Sequence, residues 1–256
     1  MRKSPAQKEI VGHFNRRAAA YSNSACWVND PVLLNRIAEL SHAGEGSVVL
    51  DLGTGTGCLA RSFRGRVKLS IGLDLCGSMM KKAVGCADLL VMAPAEKLPF
   101  RDNAFDVCVC RQGLQFMQVD KALCEIYRVL KPGGRVVLCH LTSYGFDDAG
   151  ETFFIQRLRN PARRNFFLPD DFPELLKGAG FSGVQCAGYI TRESVKRWTE
   201  NGAVPAADVK KILDAYKNAS VSFRKLHALR FSNGDIFDSM KMTLVSARKN
   251  RIGKCR

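Results

Sequence analysis

The sequence lacks several features that would assign it to common protein classes. No apolar run approaches the ~18 residues that a membrane-spanning helix needs, and the first residues, MRKSPAQKEI, have no apolar signal core. None of the ten cysteines forms a C-x-x-C pair, which argues against a zinc site or a redox pair. No G-x-x-x-x-G-K-S/T phosphate loop occurs. These absences predict a cytoplasmic protein without a metal site, in which free thiols serve as small hydrophobic side chains.

Acidic residues are scarce relative to basic ones. Thirty-nine Lys and Arg stand against 24 Asp and Glu, which gives a net charge of +15 and a pI near 9.6. A field of this sign favours an anionic partner: nucleic acid, acidic lipid, an acyl-carrier protein, or a small molecule with a phosphate or carboxylate. The 256 residues are enough for one sizeable α/β domain spanning 1–256.

The stretch Val48–Phe63 organises the chain. It reads VVLDLGTGTGCLARSF, a short apolar run followed by three glycines and an amphipathic segment. This pattern predicts a buried strand, a turn through Gly53, Gly55 and Gly57, and a helix. Without Cβ atoms, such a turn lets a ligand lie against the backbone. Asp51 precedes the turn, so the site suits a ligand with an ammonium group better than a pyrophosphate.

A second strand-like run ends in an acidic residue. Lys68–Asp74 reads KLSIGLD and places Asp74 23 residues after Asp51. In nucleotide-binding doubly wound sheets, an acid at about this distance accepts hydrogen bonds from ribose hydroxyls. The alternative is that Asp74 caps a helix beginning near Gly77.

Five segments in this order carry a family resemblance: DLGTGTG, GLD, AEKLPF (95–100), FDVCVCRQGLQF (105–116) and EIYRVLKPGGRVVL (125–138). They resemble the successive motifs of class I S-adenosylmethionine-dependent methyltransferases, over roughly residues 10 to 190. Within that class the chain is similar to the branch of ubiquinone/menaquinone C-methyltransferases and the malonyl-thioester O-methyltransferase of biotin synthesis. The resemblance implies an α/β fold with a doubly wound, seven-stranded, mostly parallel sheet, a helical cap at residues 1–42 and a helical insertion.

The resemblance implies S-adenosylmethionine as the cofactor. Leu75 and Met79 would flank the adenine, although an apolar residue such as Met79 can also be ordinary core. The Arg111 backbone carbonyl would hold the methionine ammonium. Pro94 stands where the family has an acid that binds the adenine amino group, so the Ala95 N–H and apolar walls would replace it. The full predicted set is Asp51, Gly53, Thr54, Gly55, Gly57, Asp74, Leu75, Met79, Ala95 and Arg111.

Four residues are predicted to act on the acceptor. In the resemblance, Tyr21 of the cap lies over the ligand; the alternative is an anchor between cap and core. Gln112 and Gln115 follow the fourth strand and would face the transferring methyl, or else be solvated amides. His140 ends the fifth strand, where it could be a general base or a structural residue.

Two insertions follow strands, at 142–169 and 192–236, where loops commonly carry specificity. The first interleaves aromatics with four arginines: Arg157, Arg159, Arg163 and Arg164. The second predicts two helices, around 192–200 and 206–229. The arginines are either a solvated face or a wall that binds an anion. We therefore expect methyl transfer to a small anionic acceptor, by C- or O-methylation.

Two alternatives stay open at this stage. The charge of +15 is compatible with an RNA methyltransferase, although the N-P-P-Y tetrapeptide of base N6-methyltransferases and a recognisable RNA-binding module are missing. The proline at position 94 is compatible with a non-catalytic S-adenosylmethionine-binding regulator. No sequence feature predicts the oligomeric state.

Overall fold

The computed structural model describes residues 3–250. A mixed sheet is the centre of the fold, with helices on both faces. The strands are β1 Val48–Leu52, β2 Leu69–Asp74, β3 Leu89–Met92, β4 Phe105–Arg111, β5 Leu130–Thr142, β6 Phe181–Ser194, β7 Arg230–Ser232 and β8 Asp235–Lys249. The helices are α1 Pro5–Arg17, α2 Pro31–Ser41, α3 Gly77–Ala83, α4 Val119–Val129, α5 Phe146–Arg159, α6 Asp171–Gly178, α7 Val195–Thr199, α8 Ala206–Lys217 and α9 Val221–Leu226.

The strand order is β3-β2-β1-β4-β5-β8-β6. The first five strands in that order are parallel, whereas β8 runs antiparallel to both β5 and β6. This order reverses direction after β1, and ligands of open α/β sheets bind outside the carboxyl ends of strands at such a point. The α/β, mostly parallel architecture predicted from the sequence is confirmed.

The predicted number of seven strands is wrong, because the sheet has eight. The additional strand, β7, pairs with the beginning of β8 through a hairpin. Asn233 and Gly234 form its turn with φ of 51° and 73°. Two successive positive φ angles match the twist of a two-residue hairpin, for which Asn-Gly is the preferred sequence.

Apolar strands explain why both faces of the sheet are covered. Alternate residues of β1 go to opposite sides: Leu50 and Leu52 join one core cluster, and Val49 joins the other. The first cluster includes Leu123 and Ile126 of α4, and the second includes residues of α2, α5, α7 and α8. This arrangement leaves the carboxyl ends of the parallel strands as the edge where side chains are free to meet a ligand.

The cap consists of α1 and α2 joined by residues 18–30. Ser4 and Gln7 form a capping box at the start of α1, and the Asp30 side chain accepts from the first turn of α2. Asn15 of α1 accepts a hydrogen bond from the Ser78 hydroxyl of α3 at 2.7 Å. The predicted two-helix cap with a break between Tyr21 and Pro31 is confirmed, and α1 is fixed over the β2–α3 corner.

The second insertion differs from the prediction. Residues 192–194 continue β6, and the helix expected over 206–229 is divided into α8 and α9. The division follows from Ser220, whose hydroxyl accepts from the Phe223 N–H and begins a new helix. Within residues 3–250, no helix has the length and apolar character needed to cross a membrane.

Candidate functional site

A main cavity lies at the carboxyl ends of β1, β2 and β4, under α1. Its volume is about 90 Å³. Its walls are Gln7, Ile10, Val11, Phe14, Tyr21, Gly53, Gly55, Leu73, Asp74, Leu75, Cys76, Met79, Ala93, Pro94, Ala95, Glu96, Arg111, Gln112, Gly113, Phe116 and Met117.

The glycine turn forms one wall of the main cavity. The N–H groups of Gly53 and Thr54 both donate to Leu73 O, at 2.8 and 3.0 Å. Gly53 and Gly55 have φ of 70° and 57°, a region that favours glycine. Gly57 faces away from the cavity, and a Cβ there would lie 2.5 Å from Cys86 Cβ. The third glycine therefore serves the packing of the turn against the α3 end.

Asp74 is the residue predicted from the sequence to bind ribose hydroxyls. It lines the main cavity, with Oδ2 accepting from the Gly55 N–H and Oδ1 from the Cys76 N–H, both at 2.8 Å. Burial raises the pKa of this carboxyl, and the two N–H donors oppose that shift. A carboxylate has about four lone-pair sites, so Asp74 keeps capacity to accept from a ligand.

The predicted adenine side of the main cavity is apolar. Leu75, Met79 and Ala95 all line it, as does Pro94. Glu96 is also in the wall, but its carboxylate accepts from the Gln118 N–H at 2.9 Å. No carboxylate at position 94 is available to an amino group, as the sequence indicated.

Asp51 and Thr54 lie beneath the main cavity and do not line it. The Thr54 hydroxyl donates to Asp51 Oδ2 at 2.7 Å, and burial raises the pKa of Asp51 to about 6. The Arg111 guanidinium donates to the backbone oxygens of Trp27 and Val28, at 2.7 and 2.9 Å. The Arg111 side chain therefore anchors the cap to the sheet, and Arg111 is also a residue of the main cavity wall.

Gln112, Gln115 and His140 form a buried chain of hydrogen bonds. The Gln115 Nε2 donates to Gln112 Oε1 at 2.8 Å, and His140 Nδ1 lies 3.0 Å from Gln115 Oε1. Because that amide oxygen can only accept, Nδ1 carries the imidazole proton. Gln112 Nε2 has no hydrogen-bond partner among residues 3–250. The chain thus leaves one amide N–H₂ group free at the site.

His140 does not line the main cavity. It is fully buried and stacks on Phe172, and burial lowers its pKa to about 3, with a smaller contribution from Arg163. A neutral imidazole whose Nδ1 donates to Gln115 is placed to orient that amide. This position does not support the general-base role that the sequence suggested.

A second cavity, here called the arginine cavity, adjoins the main cavity beneath the cap. Its volume is about 20 Å³. The two cavities share Phe14, Tyr21, Gln112 and Phe116. The other residues of its wall are Arg17, Trp27, Gln115, Leu141, Gln156, Arg159, Asn160, Arg163 and Trp198. Tyr21, Gln112 and Gln115, all expected near the acceptor, are therefore brought together.

The arginines of the first insertion separate into two pairs. Arg159 and Arg163 line the arginine cavity, whereas Arg157 and Arg164 are exposed outside it. Arg17 of α1 also lines the arginine cavity, and sequence reasoning missed it. The available signal was an arginine with no acid one helical turn away and aromatic residues at positions 14 and 21. Among residues 3–250, no group of three or more His, Cys, Asp and Glu side chains is arranged to hold a metal ion.

The fold and the cavities define a class of protein, and comparison with known proteins agrees. Residues 50–138 match the family described as methyltransferase domain. A malonyl-[acyl-carrier protein] O-methyltransferase of Erwinia pyrifoliae is 32% identical over 186 residues, 72% of this chain and 69% of that protein. The chain belongs to the class I S-adenosylmethionine-dependent methyltransferases.

A second relative and two solved structures are also similar to this chain. The malonyl-[acyl-carrier protein] O-methyltransferase of Yersinia pestis is 30% identical over 166 residues, which span 64% of this chain and 61% of that protein. The crystal structure of YcgJ from Bacillus subtilis superposes with a TM-score of 0.78 at 25% identity, covering 85% of this chain and 97% of that one. Geranyl diphosphate C-methyltransferase of Streptomyces coelicolor shares the fold, with a TM-score of 0.64 at 12% identity.

Proposed function

We propose that this protein transfers the methyl group of S-adenosylmethionine to a small anionic acceptor. The observation that carries the proposal is the junction of two cavities. The main cavity has the glycine turn, the Asp74 carboxylate and apolar flanks, which fit a nucleoside with an amino-acid side chain. The arginine cavity opens from the same junction at Tyr21 and Gln112. A cofactor and an acceptor bound in the two cavities would meet there.

The residues of the main cavity fit S-adenosylmethionine as follows. Asp74 would accept from the ribose hydroxyls, Leu75 and Met79 would enclose the adenine, and the Arg111 backbone would hold the ammonium. When bound, the cofactor would supply an electrophilic methyl carbon for transfer to the acceptor. The chain's contribution is alignment in a closed site, which can supply a large share of the rate enhancement.

Aromatic side chains of the cap pack at this junction. Phe14 packs edge-to-face on Phe116 with ring centroids 5.0 Å apart, and Tyr21 lies beside Phe14 at 6.4 Å. Phe14 and Tyr21 each line both the main cavity and the arginine cavity. Closure over the junction suits a small acceptor better than an RNA strand, which needs an open basic groove. Action in the cytoplasm, and a single domain over 1–256, stay predictions of the sequence.

Binding of the cofactor is the first test. We expect S-adenosylmethionine to bind in calorimetry, and Asp74→Ala to weaken binding by about 1.5–3 kcal/mol, the range for a hydrogen bond to a charged group. Asp88→Ala is the matched control, because Asp88 also accepts from a backbone N–H, that of Ser70, but does not line the main cavity. Equal losses in both variants, or no binding by the wild type, would contradict the proposed cofactor site.

Transfer is tested separately with methyl-labelled S-adenosylmethionine and a metabolite extract. We expect the label in the small-molecule fraction. Label in RNA would support the RNA methyltransferase alternative. Binding of the cofactor without transfer to any fraction would support a non-catalytic regulator.

A further inference from the structure

Three guanidinium groups share one wall of the arginine cavity. Arg17 and Arg159 are only 3% and 7% exposed. The Nε of Arg17 and the Nη2 atoms of Arg159 and Arg163 are buried and have no hydrogen-bond partner among residues 3–250. The three groups hydrogen-bond only to neutral partners: Ser24 Oγ at 3.2 Å, Trp198 O at 3.1 Å and Asn165 O at 3.0 Å.

No carboxylate in the described part of the chain forms an ion pair with these three arginines. Glu193 is the acid whose charge acts on Arg159, but its oxygens are engaged elsewhere. They accept from the N–H groups of Cys26 and Trp27, at 2.7 and 3.1 Å, and from the Thr191 hydroxyl at 2.8 Å. Glu193 therefore fixes the cap and is not the missing counter-charge.

The concentration of positive charge is visible in the neighbouring groups. Burial lowers the pKa of Arg159, and the charge of Arg17 lowers it further. His13 on α1 has a pKa of about 3, from burial and then from the charges of Arg17 and Arg159. Buried charges that lack a partner are costly, and proteins retain them where a ligand completes the pairing.

We propose that the arginine cavity binds a carboxylate of the acceptor as a permanent handle, and that the methyl group goes to a different acceptor atom near Gln112. This inference rests on the proposed function, because it assigns an orientation to the acceptor of that reaction. It distinguishes the chain from an enzyme that esterifies the carboxylate itself.

The walls favour a carboxylate over a tetrahedral anion. The Arg159 guanidinium lies 4.3 Å from the Trp198 ring centroid, and that contact holds its plane. A flat guanidinium presents its N–H edge to a planar carboxylate in a bidentate geometry. Apolar groups, among them Leu141 and Phe116, complete the wall.

Charge balance explains why the carboxylate is not the methylated group. Methylation of a carboxylate gives a neutral ester, which would leave three buried guanidiniums unpaired in the product complex. Hydrogen bonds from several N–H donors also reduce the nucleophilicity of the oxygens that accept them. Gln112, whose Nε2 is unpartnered, lies where the two cavities join. Its amide can donate to a lone pair of a second polar group of the acceptor.

The first experiment compares the wild type with Arg159→Gln and Arg163→Gln. It measures methyl transfer to the acceptor in the extract fraction that takes up the label. Each should raise the KM for the acceptor about 10- to 100-fold, as expected from loss of a charge-assisted hydrogen bond, with cofactor affinity within about twofold of the wild type. Arg157→Gln is the control, since it removes the same charge from an exposed side chain outside the cavity. Equal effects of all three variants would overturn the assignment of the cavity.

The second experiment identifies the methylated group. The labelled product is treated with mild alkali, which cleaves methyl esters and releases labelled methanol but leaves ether, carbon- and nitrogen-bound methyl groups in place. Retention of the label supports the proposal that the carboxylate is bound by the arginines and is not methylated. Release of the label as methanol shows that the carboxylate is the methyl acceptor and overturns the proposal.

A third measurement needs no turnover. Benzoate and propionate are probes for the cavity, benzamide and propionamide are their neutral counterparts, and inorganic phosphate is a tetrahedral anion. A carboxylate should raise the Tm of the wild type but not of Arg163→Gln. The amides and phosphate should leave the Tm of both proteins unchanged. Stabilisation by phosphate alone, or equal stabilisation of both proteins, would overturn carboxylate recognition. If the wild type does not bind S-adenosylmethionine, the proposed function fails; a positive probe result would leave the anion site standing.

Discussion

The residues at the junction combine backbone strain with a directed hydrogen-bond chain. Gln112 has φ of 56°, a left-handed conformation that is unusual for a residue other than glycine. Its N–H donates to Cys139 O at 2.9 Å, which holds the strained turn against β5. Such strain persists where surrounding structure over-determines it, commonly at functional sites. Here Gln112 lines both the main cavity and the arginine cavity.

We predict that His140 acts by orienting Gln115 and Gln112. His140→Phe removes the Nδ1 donor but keeps an aromatic ring against Phe172. The kcat should fall by up to about tenfold, the equivalent of one hydrogen bond of about 0.5–1.5 kcal/mol, with cofactor affinity unchanged. Steady-state kinetics and calorimetry measure the two quantities.

The pH profile separates this role from general-base catalysis. Because its folded pKa is about 3, His140 is neutral across the pH range of activity. The dependence of kcat on pH between pH 5 and 8 should therefore be the same for the wild type and for His140→Phe. A limb near the ordinary histidine pKa of about 6.5, lost in the variant, would show that the imidazole exchanges a proton during turnover.

Several elements of the two insertions meet at one buried histidine. His227 Nδ1 lies 2.7 Å from Asp238 of β8, and Nε2 lies 3.1 Å from Asp148 of α5. The Tyr216 hydroxyl of α8 donates to Asp238 at 2.6 Å. Burial opposes protonation of His227, but its bonds to Asp238 and Asp148 raise the pKa overall. This network connects the helices of both insertions to the sheet edge behind the arginine cavity.

The network predicts a pH-dependent stability. A raised His227 pKa stabilises the fold fully below the unfolded value of about 6.5, and that contribution is lost as pH rises through the folded pKa. The depressed pKa of Asp148 contributes above the unfolded value of about 3.9, and that contribution is lost as pH falls. His227→Gln should lower the free energy of unfolding by about 3–5 kcal/mol between these limits, and less above them.

Denaturant unfolding at several pH values measures this difference. His42→Asn, at the exposed end of α2, is the control and should leave the pH dependence of stability unchanged. A loss of stability in His227→Gln that is constant from pH 5 to pH 9 would show that the imidazole is held neutral and that packing alone explains its effect.

At the scale of the whole molecule, the net charge of +15 divides into an enclosed part and an exposed part. Arg17 and Arg159 lie inside the fold, while Arg157 and Arg164 belong to the surface. Enclosed charges select a ligand and are only weakly screened by salt, whereas exposed charges act over about a Debye length. The net charge therefore does not by itself indicate a polyanionic partner.

Salt dependence tests this division. For a small acceptor, we expect the logarithm of acceptor affinity to change with log salt by a slope no steeper than about −2, because few counterions are displaced. RNA contacting about five phosphates would give a slope of about −3.5 or steeper. Arg164→Ala should leave a shallow slope unchanged, and a steep slope that this variant reduces would favour RNA.

Local patterns in the sequence determined the fold class and the order of its main elements. The strand before Gly53 and the strand ending at Asp74 were predicted from residues close to them in sequence. Such local signals do not depend on the rest of the chain. The eighth strand, the buried position of His140 and the separation of Arg159 from Arg157 were not predictable. Each depends on which face of an element packs against a partner remote in sequence. Arg17 of α1 and Arg159 of α5 line the arginine cavity together, and their proximity is a property of the packed fold.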